Sequence, residues 1–178
     1  MRSHDLGKRV ALAAVGAAIS LAFITLAYFV RFLTLSFVVL SAVGIMLPLA
    51  KRYYREAFLS TVVVTVGGFF IVNLSIIPFA AASGFYVVFT VFWNEKGWNR
   101  LLGYAVKFVY SCILFFVLYK VTTLVAVDVT KVTFLETLPD AALYVLVNGV
   151  FSICFLLYDF LLEKGFVYLK KIVDRIVK

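Results

Sequence analysis

Apolar runs of roughly bilayer-spanning length recur along this chain, and that repetition constrains the fold more than any other feature. Six runs can be drawn, at about 9–30, 33–50, 57–77, 79–93, 101–121 and 141–162, with short charged stretches between them. A helix needs about 20 residues to cross the hydrocarbon layer. A transmembrane β-strand needs about half as many and shows a polar residue at every second position, which these runs do not. The expected fold is therefore an all-α integral membrane protein of six transmembrane helices. Composition agrees, because 65% hydrophobic and 15% charged residues fall outside the range of soluble domains. The first run exceeds the roughly 7–15 residues of a signal-peptide core, so it reads as a retained span.

A net charge of +8 on a soluble protein would point to nucleic acid. Here its distribution sets orientation instead, and no nucleic-acid partner is expected. With the N-terminus in the cytoplasm and six crossings, only Arg31, Lys120 and Lys131 fall outside, and Lys107 lies within a span. All remaining lysines and arginines fall on inner segments, as the positive-inside rule requires. Both termini are expected to be cytoplasmic, in a prokaryotic cytoplasmic membrane. Beyond Gly165, Phe166, Leu169, Ile172, Val173, Ile176 and Val177 recur at helical spacing opposite Lys164, Lys170, Lys171, Asp174, Arg175 and Lys178. That pattern predicts an amphipathic helix on the inner leaflet. The organisation expected is a six-helix transmembrane domain over 1–163 and an interfacial helix over 164–178.

Within the first run, Ala11, Ala14, Ala18, Ala22 and Thr25 share one helical face, with Ala13, Gly16 and Ala17 beside them. Lipid tails are as apolar as leucine, so membrane helices gain by close backbone approach over small residues. The stripe reads as a docking surface, for helices of the same chain or for a partner. A second small patch, Ala80-Ala81-Ala82-Ser83-Gly84, opens the fourth run and either packs on the first or leaves room for a ligand. Lys51-Arg52-Tyr53-Tyr54-Arg55 and the Trp93–Arg100 stretch read as interfacial anchoring. Lys107, about two turns into the fifth run, reads as a lysine that snorkels to the surface. Segment 122–140, the one long outer loop, reads as a short hairpin or a lid. Asn148 lies mid-span and either bonds a neighbouring helix or faces a cavity.

Much chemistry is missing. There is no G-x-x-x-x-G-K-[ST], H-E-x-x-H or G-x-S-x-G motif, and His4 is the only histidine. Cys112 and Cys154 lie mid-span without a ligand set around them, so no metal, cofactor or catalytic residue is expected. No carboxylate pair sits within the spans, and the intramembrane charge that a pump or voltage sensor needs is not evident. A binding and packing protein remains.

Several stretches carry a resemblance. Lys8 through Ala14, with Ala13-x-x-x-Ala17 and Ala14-x-x-x-Ala18, looks like the opening of the substrate-binding S-component of energy-coupling factor (ECF) transporters. Leu33-Thr34-Leu35-Ser36-Phe37 is similar to that family's second-helix start. Leu138 through Tyr144, and Asn148-Gly149 through Tyr158, are similar to the start and body of its last helix. The resemblance implies capture of a vitamin-like small molecule from outside and docking on a membrane T-component driven by two cytoplasmic ATPases. It implies docking through Ala13, Ala14, Ala17 and Ala18, and substrate contacts from Asn148, Asn73 and Tyr144. Phe151 stands where riboflavin-binding members tend to carry lysine, so the substrate stays open. A similar architecture is found in MreD-like scaffolds of envelope assembly, which bind proteins and transport nothing. In such a protein the phenylalanines would fill the cavity.

Overall fold

The computed structural model describes residues 3–97, 99–124 and 140–176. All of its regular structure is helical, and there is no strand among the described residues. The main helices are α1 (Ser3–Phe29), α2 (Thr34–Ala50), α3 (Tyr54–Val72), α4 (Tyr86–Glu95), α5 (Arg100–Leu124) and α6 (Asp140–Ile176). Four segments are long and apolar enough to cross a membrane: Leu6–Phe29, Tyr54–Ile76, Leu101–Lys120 and Tyr144–Ile176. The second and fourth runs form shorter elements. α2 has 17 residues, and the fourth run starts as a π-helix over Phe79–Phe85 and leaves only 10 residues for α4. Large apolar side chains point outward along the long helices, with Phe70 84% and Leu101 80% exposed. In water such surfaces would be an aggregation hazard, whereas in hydrocarbon they cost nothing.

Two compact units divide the chain, Met1–Gly97 with Leu162–Lys178, and Trp98–Leu161. The first is built on the packing of α1 against α2. Gly16 and Gly44 face each other so closely that a Cβ on either would overlap the other's carbonyl oxygen. Beside this contact the Ser20 hydroxyl donates to the Ser41 carbonyl at 2.8 Å. The short connection is closed by Thr34, whose hydroxyl donates to the Ala27 carbonyl at 3.0 Å. α3 joins through Ser60, which donates to the Ala13 carbonyl at 3.1 Å. Small side chains and serine-to-carbonyl bonds thus set the helix spacing, as expected where apolar burial gives no net attraction between helices.

The small patch of the fourth run packs on α2 and α3. Its Ser83 donates to the Val38 carbonyl at 2.7 Å, and a Cβ on Gly84 would strike Thr61. Pro48 lies inside the last turn of α2, which ends at Ala50, and Arg52 turns the chain with φ 61.

The C-terminal segment differs from expectation. No break occurs at Gly165, and residues 164–176 continue α6, which runs unbroken over 37 residues. A glycine costs a helix only about 1 kcal/mol, too little to stop one that is held on both sides. Nor does this end present all its charges to water. Lys170 Nζ lies 3.1 Å from Glu95 and Lys51 Nζ 2.8 Å from Asp174, while the Asn94 amide donates to Glu163 at 2.8 Å. Glu95 also accepts from the Tyr54 hydroxyl and lies 3.4 Å from Arg52 Nε. Within the cluster expected to serve as an anchor, Lys51, Arg52 and Tyr54 therefore tie chain segments together. Burial alone would push the Glu95 carboxyl up, but hydrogen bonds from Tyr54 and Lys170 and the charges of Lys170 and Arg52 hold it below the usual carboxylate range.

Two tests follow from this unit. Gly44→Leu forces α1 and α2 apart, and thermal unfolding in detergent should show a loss at or beyond the upper end of overpacking, about 3 kcal/mol; an unchanged midpoint would rule out the crossing described. Glu95 has a folded-state pKa below its unfolded one, so its contribution is present above the unfolded value and is lost as pH falls through the folded value. The wild type should therefore melt above Glu95→Gln at neutral pH, and the gap should close in acid below the carboxylate range. A gap that is constant with pH would show that ionised Glu95 does not hold the cluster.

Candidate functional site

The second unit contains α5 and the first part of α6, and its polar side chains fall in one line. Along α6, Tyr144, Asn148, Ser152 and Asp159 share a face by the 3.6-residue repeat. Lys107 and Ser111 share a face of α5 in the same way. The Lys107 ammonium lies 2.7 Å from the Asp159 carboxylate, and each side chain is only 4% exposed. Ser111 and Ser152 are hydrogen-bonded hydroxyl to hydroxyl at 3.1 Å, with Ser111 also donating to the Phe108 carbonyl at 2.8 Å. Beyond them, the Asn148 carbonyl oxygen is buried with no hydrogen-bond partner among the described residues. Aromatic rings complete the line, with Phe115 against Tyr144 at 5.3 Å and Phe151 at 5.4 Å, and Tyr119 against Tyr144 at 5.6 Å.

The ion pair overturns the reading of Lys107 as a snorkelling lysine. A lone ammonium buried at this depth would lose its hydration with nothing in return, whereas a carboxylate at hydrogen-bond distance neutralises both groups. The pair was hard to see because 52 residues separate its members. One signal was present: two opposite charges, Lys107 and Asp159, each set within one of two consecutive apolar runs. Paired and dry, the two charges are suited to holding the helices in register. The unused chemistry lies at Asn148, where a carbonyl acceptor sits one turn from a tyrosine ring. That oxygen can accept a hydrogen bond from a donor-bearing ligand or from another helix.

The other expected site residues are placed as follows. Tyr144 is half-buried and its ring is committed to Phe115 and Tyr119. Asn73 belongs to the first unit, where it ends α3 with φ 54 and an exposed side chain. Of the docking alanines, Ala17 is buried and Ala13 half-buried, on the side of α1 that also carries Gly16 and Ser20. Ala14 and Ala18 are exposed, together with Ala11 and Ala22. Small residues therefore occupy two faces of α1, one used within the chain and one open. The expected hairpin or lid falls mostly at 125–139, outside the described residues, while its ends belong to α5 and α6. No cluster of three metal-ligating side chains occurs among the described residues.

In comparisons with known proteins, no family model, no curated protein and no solved structure matches this chain.

Removing one partner of the buried pair leaves the other charge stranded. Asp159→Asn should cost about 3–5 kcal/mol in unfolding experiments, and the double change Lys107→Met with Asp159→Leu should recover most of it. Losses that simply add in the double variant would show that the two groups are not coupled.

Proposed function

We propose that this chain is the substrate-binding S-component of an ECF-type importer. In this reading it crosses a prokaryotic cytoplasmic membrane six times with both termini inside, captures a vitamin-like small molecule from outside and docks on a T-component powered by two cytoplasmic ATPases. The observation that carries the reading is the open face of α1. Ala11, Ala14, Ala18 and Ala22 are exposed on a helix of spanning length, although the neighbouring row of small residues is already used against α2. A helix that only met lipid would have no need of a second bare face, because bulky side chains fill lipid contacts equally well. The resemblance noted in the first helix implies docking on the T-component through Ala13, Ala14, Ala17 and Ala18, and of these Ala14 and Ala18 lie on that face. The Asn148 oxygen beside Tyr144, which has no hydrogen-bond partner among the described residues, is the substrate contact favoured on this reading.

A second reading has its own observation. Rings from Phe115, Tyr119, Tyr144, Phe151 and Phe155 pack on one another between α5 and α6. Such filling suits a non-transporting scaffold of the MreD kind, with the alanine face binding an envelope-assembly protein.

Purification of the tagged chain from its native membrane in mild detergent, with mass spectrometry of proteins and small molecules, separates the two. Import predicts a T-component, two ATPases and a stoichiometric small molecule; envelope-assembly proteins without a small molecule favour the scaffold. Ala14→Leu with Ala18→Leu should abolish co-purification of any partner at unchanged thermal stability, since both positions are exposed. Asn148→Leu should abolish small-molecule retention alone, and retention at the wild-type level would remove Asn148 from the site.

A further inference from the structure

A groove runs along the outside of the first unit between α3 and α4. Two ring contacts frame it, Tyr54 with Phe92 at 5.5 Å and Phe58 with Phe85 at 5.6 Å. The reversed order of these pairs shows that α3 and α4 run antiparallel. Between the two pairs lies a shallow, open groove of about 470 Å³ lined by Tyr54, Arg55, Phe58, Leu59 and Val88. From Phe92 to Phe85 the helix rises about 10 Å, the scale of a stretch of acyl chain and far less than a second helix would cover.

Its one charge is Arg55, at the end where α3 begins. The cations just before it are already engaged, Lys51 with Asp174 and Arg52 with Glu95. Arg55 is exposed and forms no ion pair among the described residues. The rest of the lining is hydrocarbon and aromatic ring, and no carboxylate lines the groove. A shallow hydrocarbon surface lined at one end by the exposed Arg55 side chain suits an amphiphile with an acyl tail and a negative head. A guanidinium binds phosphate through two parallel hydrogen bonds. A zwitterionic head would bring an ammonium for which the groove holds no counter-charge.

We propose that this groove binds one anionic phospholipid, with the phosphate on Arg55 and the first part of an acyl chain along Phe58, Leu59 and Val88. The site needs only that the chain lies in a bilayer, and it is independent of the import reading.

The test uses the full chain, purified and delipidated in detergent, then given phosphatidylglycerol or phosphatidylcholine at equal concentration and read by native mass spectrometry. The wild type should retain phosphatidylglycerol about fivefold over phosphatidylcholine, the ratio corresponding to about 1 kcal/mol for one basic residue at an anionic headgroup. Arg55→Gln should bring that ratio to about one without changing the lipid-free melting temperature. Val88→Phe should remove both adducts, and Lys171→Gln, an exposed cation away from the groove, should leave the preference intact. Equal retention by the wild type would overturn the site. So would an undiminished preference in Arg55→Gln, or an equal loss in Lys171→Gln, which would reduce the effect to general surface charge. Displacement of the lipid by inorganic phosphate alone would overturn the acyl-chain part of the assignment.

Discussion

Because hydrocarbon offers an apolar helix the same contacts that a neighbouring helix would, burial of leucine and phenylalanine cannot by itself hold helices of this kind together. Two remedies are visible, one in each unit. In the first, Gly16 and Gly44 let α1 and α2 approach until backbone meets backbone, and serine hydroxyls at positions 20, 60 and 83 donate to carbonyls of the adjoining helices. In the second, Lys107 and Asp159 give α5 and α6 an electrostatic tie that lipid cannot replace, with Ser111 and Ser152 beside it. The serines serve this purpose well because each satisfies a polar group within the protein, where water is absent.

The same constraint gives α1 its functional interest. Had its small residues lain on a single face, the packing on α2 would account for all of them. They lie on two, and the face with Ala14 and Ala18 stays open while the side with Gly16 and Ala17 is consumed. A partner that meets α1 there meets a helix already held in place from behind. Near the charged ends of these helices, Glu95 gathers Tyr54, Arg52 and Lys170, drawing α3, α4 and the last part of α6 to one carboxylate. Its burial is tolerated because three donors surround it.

Parts of this arrangement were legible from periodicity. Tyr144 and Asn148 lie one turn apart in a single run, so their common face follows from helix geometry alone. The same holds for the row Ala14, Ala18 and Ala22. What periodicity could not supply is which of two adjoining small-residue faces is buried, because the choice depends on where Gly44 of another helix arrives. Nor did it reveal the partner of Lys107, since Asp159 becomes its neighbour only when α5 and α6 fold back on each other. Asn73 carried a polar side chain that invited a binding role, and the structure places it at the end of α3, in a different unit from Asn148 and Tyr144. The continuity of α6 through Gly165 was also hidden, because a single glycine weakens a helix without ending it.

The sequence by itself determined that the chain is helical, that its long runs are apolar enough for a membrane, and which residue types recur on each helix face. These are local properties, set by hydropathy and a 3.6-residue repeat within single segments. The tertiary structure alone decided the pairing of Lys107 with Asp159, the gathering of cations on Glu95, and the uncommitted state of Arg55 beside its groove. Each of these depends on groups far apart in the chain being brought within a few ångströms. Hydrogen bonds act only at such distances and ion pairs are strongest there, and a linear pattern of residues does not encode them one helix at a time.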